Sequence, residues 1–168
     1  MKKLWTLCFL IILLLLATAC NNLQEPKITI EAIVSQLSEE EYDYVGTYGL
    51  EKPTKDDFRK FTFIFEVQHS TKFSRKVEFP IGGSWREAVN TIDNKERYWF
   101  GDGYEQNIDG ENIAKYESEF VFYSKGLNDE DIRKAFNSII LELYLDAEEG
   151  ESLEKEYIVS ELVRFNNK

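Results

Sequence analysis

Two stretches of this chain alternate apolar and polar residues with a period of two, and that period limits the fold more than any other feature. Phe61, Phe63, Phe65 and Val67 alternate with Thr62, Ile64, Glu66 and Gln68, and Ile139, Leu141, Leu143 and Leu145 with Ile140, Glu142, Tyr144 and Asp146. Successive side chains of a strand point to opposite faces, so each stretch predicts a strand with one face in a core. Weaker patterns predict strands over 27–35, 75–79, 97–100, 115–124 and 157–165, with a further edge strand over 42–50. Asp109-Gly110 and Glu149-Gly150 supply turn chemistry between them. About seven strands in a chain of this size predict a mostly β protein, a β-sandwich.

Two short helices are expected between strands. Ser84 and Glu87 have capping-box spacing and open one helix over 84–90. The other, over 129–137, follows Asn128, with acids in its first turn and Arg133 and Lys134 later, as the helix dipole favours.

The first twenty residues set a second constraint. Lys2 and Lys3 precede an apolar run from Leu4 to Leu16 broken only by Thr6, and Ala17, Thr18, Ala19 and Cys20 follow. A charged start, a short apolar centre and small residues are the signature of a secretory signal peptide. The run falls short of the roughly 20 apolar residues that span a bilayer. Leu16-Ala17-Thr18-Ala19-Cys20 resembles the lipobox of bacterial lipoproteins, although Ala17 stands where Leu is usual. The resemblance implies that residues 1–19 are removed, that the Cys20 thiol receives a diacylglycerol and that Cys20 carries further acyl chains such as palmitate. It also implies a cell-membrane location, lipid-anchored on the extracytoplasmic face. Residues 20–26 then form the lipidated N-terminus and a short tether, of which 21–26 reach about 20 Å when extended, and residues 27–168 form the domain. A helical crossing between strands is similar to the small lipid-anchored Ig-like proteins of Gram-positive bacteria. The fold this implies is an Ig-like antiparallel β-sandwich with one or two short helical connections.

Charge and cysteine content narrow the function. Without Lys2 and Lys3 the chain has 18 basic and 31 acidic residues, a net of −13, which repels nucleic acid. Cys8 lies in the leader and Cys20 at the proposed acylation site, so the domain has no cysteine for a disulfide, a thiolate nucleophile or a metal. Residues 52–76 are locally basic, with Lys52, Lys55, Arg59, Lys60, Lys72, Arg75 and Lys76 against Asp56, Asp57 and Glu66. Such a zone would orient a domain on an anionic envelope, or guard sheet edges against pairing.

Candidate binding residues are Tyr98, Trp99 and Tyr104, set among Phe100, Gly101, Asp102 and Gly103, with Trp85 as a further member. Flat amphipathic rings beside glycines and acids suit a sugar or an extended peptide; the same rings also fill cores. Asp102, Asp109, Glu111 and Asn112 offer oxygen donors to calcium but lack EF-hand spacing. The one histidine, His69, precedes Ser70 at a strand end, and strand neighbours face opposite ways, which does not suit a hydrolase triad. The expectation is a non-catalytic module with no catalytic residue, cofactor or metal, binding an unknown protein or envelope component. A carbohydrate- or peptide-ligand module, or an envelope hydrolase using carboxylates, are the alternatives.

Overall fold

Alternation on the second strand puts Phe61, Phe63, Phe65 and Val67 at zero exposure, and the rest of the molecule is built around that face. The structure, a computed structural model, describes residues 25–108, 111–148 and 150–166. It is mostly β. The strands are β1 (Lys27–Gln36), β2 (Phe58–Gln68), β3 (Phe73–Glu78), β4 (Tyr98–Gln106), β5 (Ile113–Tyr123), β6 (Ile140–Ala147), β7 (Leu153–Ile158) and β8 (Val163–Asn166). Four helices are described: α1 (Glu39–Asp43), α2 (Gly82–Asn90), α3 (Asp129–Ala135) and α4 (Val159–Leu162).

The strands form a five-stranded sheet ordered β4-β5-β2-β1-β8 and a three-stranded sheet ordered β3-β6-β7. All pairings are antiparallel except β1 with β8, which run parallel, so the expectation of an antiparallel fold fails at that one edge. A single core cluster takes Val34, Phe61, Phe63, Phe65, Tyr116, Phe120 and Phe122 from the larger sheet and Leu141, Leu143 and Leu145 from the smaller. Trp85, Val89 and Ile132 close it from α2 and α3.

The described residues begin and end at opposite poles. Lys27 lies opposite Gln68, so the start of β1 shares a pole with the β2–β3 and β4–β5 connections, joined there by the His69 amide donating to the Asn112 carbonyl (2.9 Å). At the other pole Asn166 pairs beside Ser35, near the connection that carries α1.

Several expectations change. Residues 42–50 are not a strand. Ser38 caps α1 in a full capping box with Glu41, and the following turns fold Tyr42, Val45 and Leu50 onto Phe58. That small second core covers one end of the outer face of the larger sheet, at Phe58 and Val121. Residues 157–165 are not one strand either. β7 ends at Ile158, the α4 turn buries Val159 and Ser160, and β8 joins the other sheet. The Arg133 guanidinium holds the crossing by donating to the Ser160 (3.1 Å) and Val163 (2.8 Å) carbonyls. The Ser84 capping box is absent, because α2 begins at Gly82 after Ile81 without a side-chain cap. The helix expected after Asn128 is present as α3, and Asn128 caps it by accepting from the Asp131 amide (2.9 Å).

Candidate functional site

β4 carries three of the four candidate binding residues, but they do not form one platform. Tyr98 is half-buried: its ring lies 5.2 Å from Phe120, with the Arg86 guanidinium 5.0 Å from its centre. Trp99 packs edge-on against Phe58 at 5.8 Å, and its Nε1 donates to the Gly46 carbonyl (2.6 Å). Trp99 falls at an irregularity in the β4–β5 register, which turns it towards the second core. Tyr104 is 51% exposed and Phe100 44%.

Trp85 is a correction. It is 2% exposed, ringed by Phe61, Phe63, Phe79, Phe120 and Phe136 at 5.3–6.4 Å, and shares no surface with Tyr104. Its position on the inner face of α2 makes it a core ring.

Gly101 and Gly103 lie within β4. They sit opposite Phe120 and Ser118, where β4 comes very close to β5. A Cβ on Gly101 would meet Phe120 Cβ at 2.3 Å and the Glu119 carbonyl at 2.5 Å. Gly101→Ala is therefore expected to push β4 off β5 and cost about 1–3 kcal/mol, as overpacking does. Urea unfolding with amide exchange checks this: β4 amides lose protection while those of β6 keep theirs.

The proposed calcium donors are spread out. Asp102 lies in mid-β4 opposite Glu119, Glu111 and Asn112 lie beyond the strand's end, and Asp109 is outside the described residues. Cys20 and the leader are likewise outside them.

His69 has both ring nitrogens engaged. Arg75 can only donate, so His69 Nε2 accepts from its guanidinium (2.6 Å), and Nδ1–H donates to the Ser70 carbonyl (2.7 Å). The same guanidinium reaches Asn107 Oδ1 (2.9 Å) and the Glu111 carbonyl (3.1 Å), tying the β2–β3 and β4–β5 connections together. This histidine organises loops and has no free nitrogen to activate Ser70.

The basic zone of residues 52–76 does not gather on one surface. Lys55 pairs with Glu39 (2.6 Å) and Lys60 with Glu41 at the α1 pole, while Lys76 pairs with Glu78 (2.6 Å) on β3. The acids that meet these cations come mostly from other segments, which cancels the local charge read along the sequence.

Carboxyl groups with displaced pKa values are displaced downward. The Lys60 ammonium, then the Ser38 amide, bring Glu41 from 4.5 to about 2. Hydrogen bonds from Arg97 and then Lys95 hold Asp93 well below the usual range, and the Thr54 amide, aided by Lys125, lowers Asp57. Such groups are stabilised as anions and hold no proton for general-acid work. A depressed folded-state pKa gives stability that is complete above the unfolded value, about 4–4.5, and lost as pH falls towards the folded one. The urea midpoint is expected to drop between pH 5 and 3, and Glu41→Gln to flatten part of that drop, seen in denaturation series at the two pH values.

Sequence reasoning missed Arg97, which is 3% exposed. It grips Asp93 with Nε (2.8 Å) and Nη2 (2.7 Å), and its Nη1 donates to the Tyr123 carbonyl (2.7 Å). Asn90 Oδ1 accepts from the Arg97 and Tyr98 amides (2.7 and 2.8 Å), so the end of α2 sets where β4 begins. The one signal along the chain is the four-residue spacing of Asp93 and Arg97.

No family model, no curated protein and no solved structure matches this chain.

Proposed function

We propose that the protein is a lipid-anchored bacterial lipoprotein whose domain is a non-catalytic binding module at the extracytoplasmic face of the cell membrane. The observation that carries this reading is the run from Leu4 to Leu16 followed by Ala17-Thr18-Ala19-Cys20. Acylated Cys20 would hold the domain close to the headgroups, since β1 begins at Lys27. The pole bearing His69 and Asn112 would then face the membrane, and the α1 pole, where Tyr48 is fully exposed, would face outward. A partner protein or envelope component fits this module better than a reaction does, because the displaced carboxyls are stabilised as anions and His69 is engaged at both nitrogens.

The domain reads as an Ig-like sandwich. The order β4-β5-β2-β1 with β3-β6-β7 follows the D-E-B-A and C-F-G arrangement of constant-type Ig domains, and β8 is an added edge. The shared core of the two sheets supports the same reading.

The test is fractionation after labelling cells with an alkyne fatty acid. Wild-type chain is expected in the membrane with label, and Cys20→Ser unlabelled with its leader uncleaved. Equal labelling of both chains would remove the proposal.

A further inference from the structure

Of the four sheet edges among the described residues, three carry cations. β3 has Arg75 and Lys76, β7 has Lys155, and β8 is short and has Arg164. β4 is the longest of the four, nine residues without Lys, Arg or Pro, and its charges are Asp102 and Glu105. Among the described residues it pairs with β5 alone. Residues 100 to 105 are all exposed. Positive charge is a common guard on a strand edge, and this edge has only negative charge.

Backbone geometry opens the edge further. The close approach of Gly101 to Phe120 is that of a non-hydrogen-bonded antiparallel pair, and Gly103 opposite Ser118 is in phase with it. The polar groups of Gly101 and Gly103 therefore turn away from β5, towards the open edge. There the Gly103 amide donates to Asp102 Oδ1 (2.7 Å), a side chain standing where a neighbouring strand's carbonyl would be.

The sign of charge selects the occupant. Asp102 lies directly opposite Glu119, a like-charge cross-strand pair that costs stability. Glu119 reaches Lys60 (3.6 Å) and Glu117 reaches Lys115 (2.5 Å), while Asp102 has no ion pair among the described residues. A second copy of this edge would set acids against acids. A strand with Lys or Arg at alternate positions would relieve the repulsion and cover Phe100 and Tyr104. We infer that the β4 edge binds an extended cationic peptide segment by strand addition. This deepens the binding-module reading and rests on it, but not on acylation of Cys20.

The test uses the full chain in detergent and two fluorescein-labelled peptides, Lys-Val-Lys-Thr-Lys-Val-Lys-Thr and the same sequence with glutamate for lysine. A third peptide is the cationic one with alternate amides N-methylated. Anisotropy is expected to show binding of the cationic peptide only, with hydrogen exchange slowed at 100–105. Asp102→Lys/Glu105→Lys is expected to weaken that binding about tenfold, with an unfolding midpoint no lower than wild type, because the first substitution sets a cation opposite Glu119. Equal binding of the N-methylated peptide would overturn strand addition, because simple charge attraction needs no backbone amides. No binding, protection elsewhere, or protection of β4 by self-association without peptide would each overturn the inference as well. Cys20→Ser is expected to bind the peptide as wild type does, which separates this result from that of the anchor.

Discussion

Phe61→Ala is expected to lower unfolding free energy by about 3–5 kcal/mol, the usual cost of emptying a buried phenylalanine site. Phe61 has zero exposure and stacks on Phe136 at 4.4 Å, with Phe120 and Trp85 at 5.1 and 5.3 Å. It joins β2 to β5, α2 and the turn after α3, so rigid rings on several sides limit how far the cavity can collapse. A domain of this size has roughly 5–15 kcal/mol in all, and no disulfide supports this one. Ile64→Ala, on the opposite face of β2, is the control and is expected to cost clearly less. Urea denaturation separates them; equal losses would mean that the inner face of β2 is not the centre of the core.

Arg97→Met is expected to cost about 2–3 kcal/mol, even though methionine keeps the apolar stem. The loss comes from what the guanidinium leaves behind. The Tyr123 carbonyl loses its donor and Asp93 loses a two-point partner in a site where Arg97 is almost wholly buried. Asp93 is 29% exposed and also meets Lys95 (3.0 Å), so water and that lysine recover part of the energy. The expected signature is a lower urea midpoint with a weaker dependence on acid, because Asp93, left with Lys95 alone, has a less depressed pKa to lose. Unchanged acid dependence would contradict the assignment of Asp93.

Legibility followed the range of the interactions. β2 and β6 were readable because a period of two is set by side-chain direction alone. The start of α3 was readable because the acids of its first turn and the later Arg133 and Lys134 lie within a few residues of one another. Ser38 and Glu41 carry the capping-box pattern, yet tyrosines at 42, 44 and 48 share the period of a strand, and only packing on Phe58 decides between them. Ser84 and Glu87 carry it too and make no cap, because the chain was already helical two residues earlier. The break at 159–162 could not be read, since it depends on a change of sheet and on Arg133 from α3. Trp85 and Trp99 look alike in sequence; one helix face and one register irregularity send them to different cores. The open edge of β4 is a property of pairing over long separations, and only the lack of cations in 98–106 was visible beforehand.

The most direct test of the lipoprotein reading is the mass of the N-terminal peptide of full-length chain extracted from membranes. A peptide that begins at Cys20 and carries diacylglycerol-derived mass on its thiol is the predicted result. An unmodified peptide, or one beginning at Met1 in membrane-extracted protein, would contradict it.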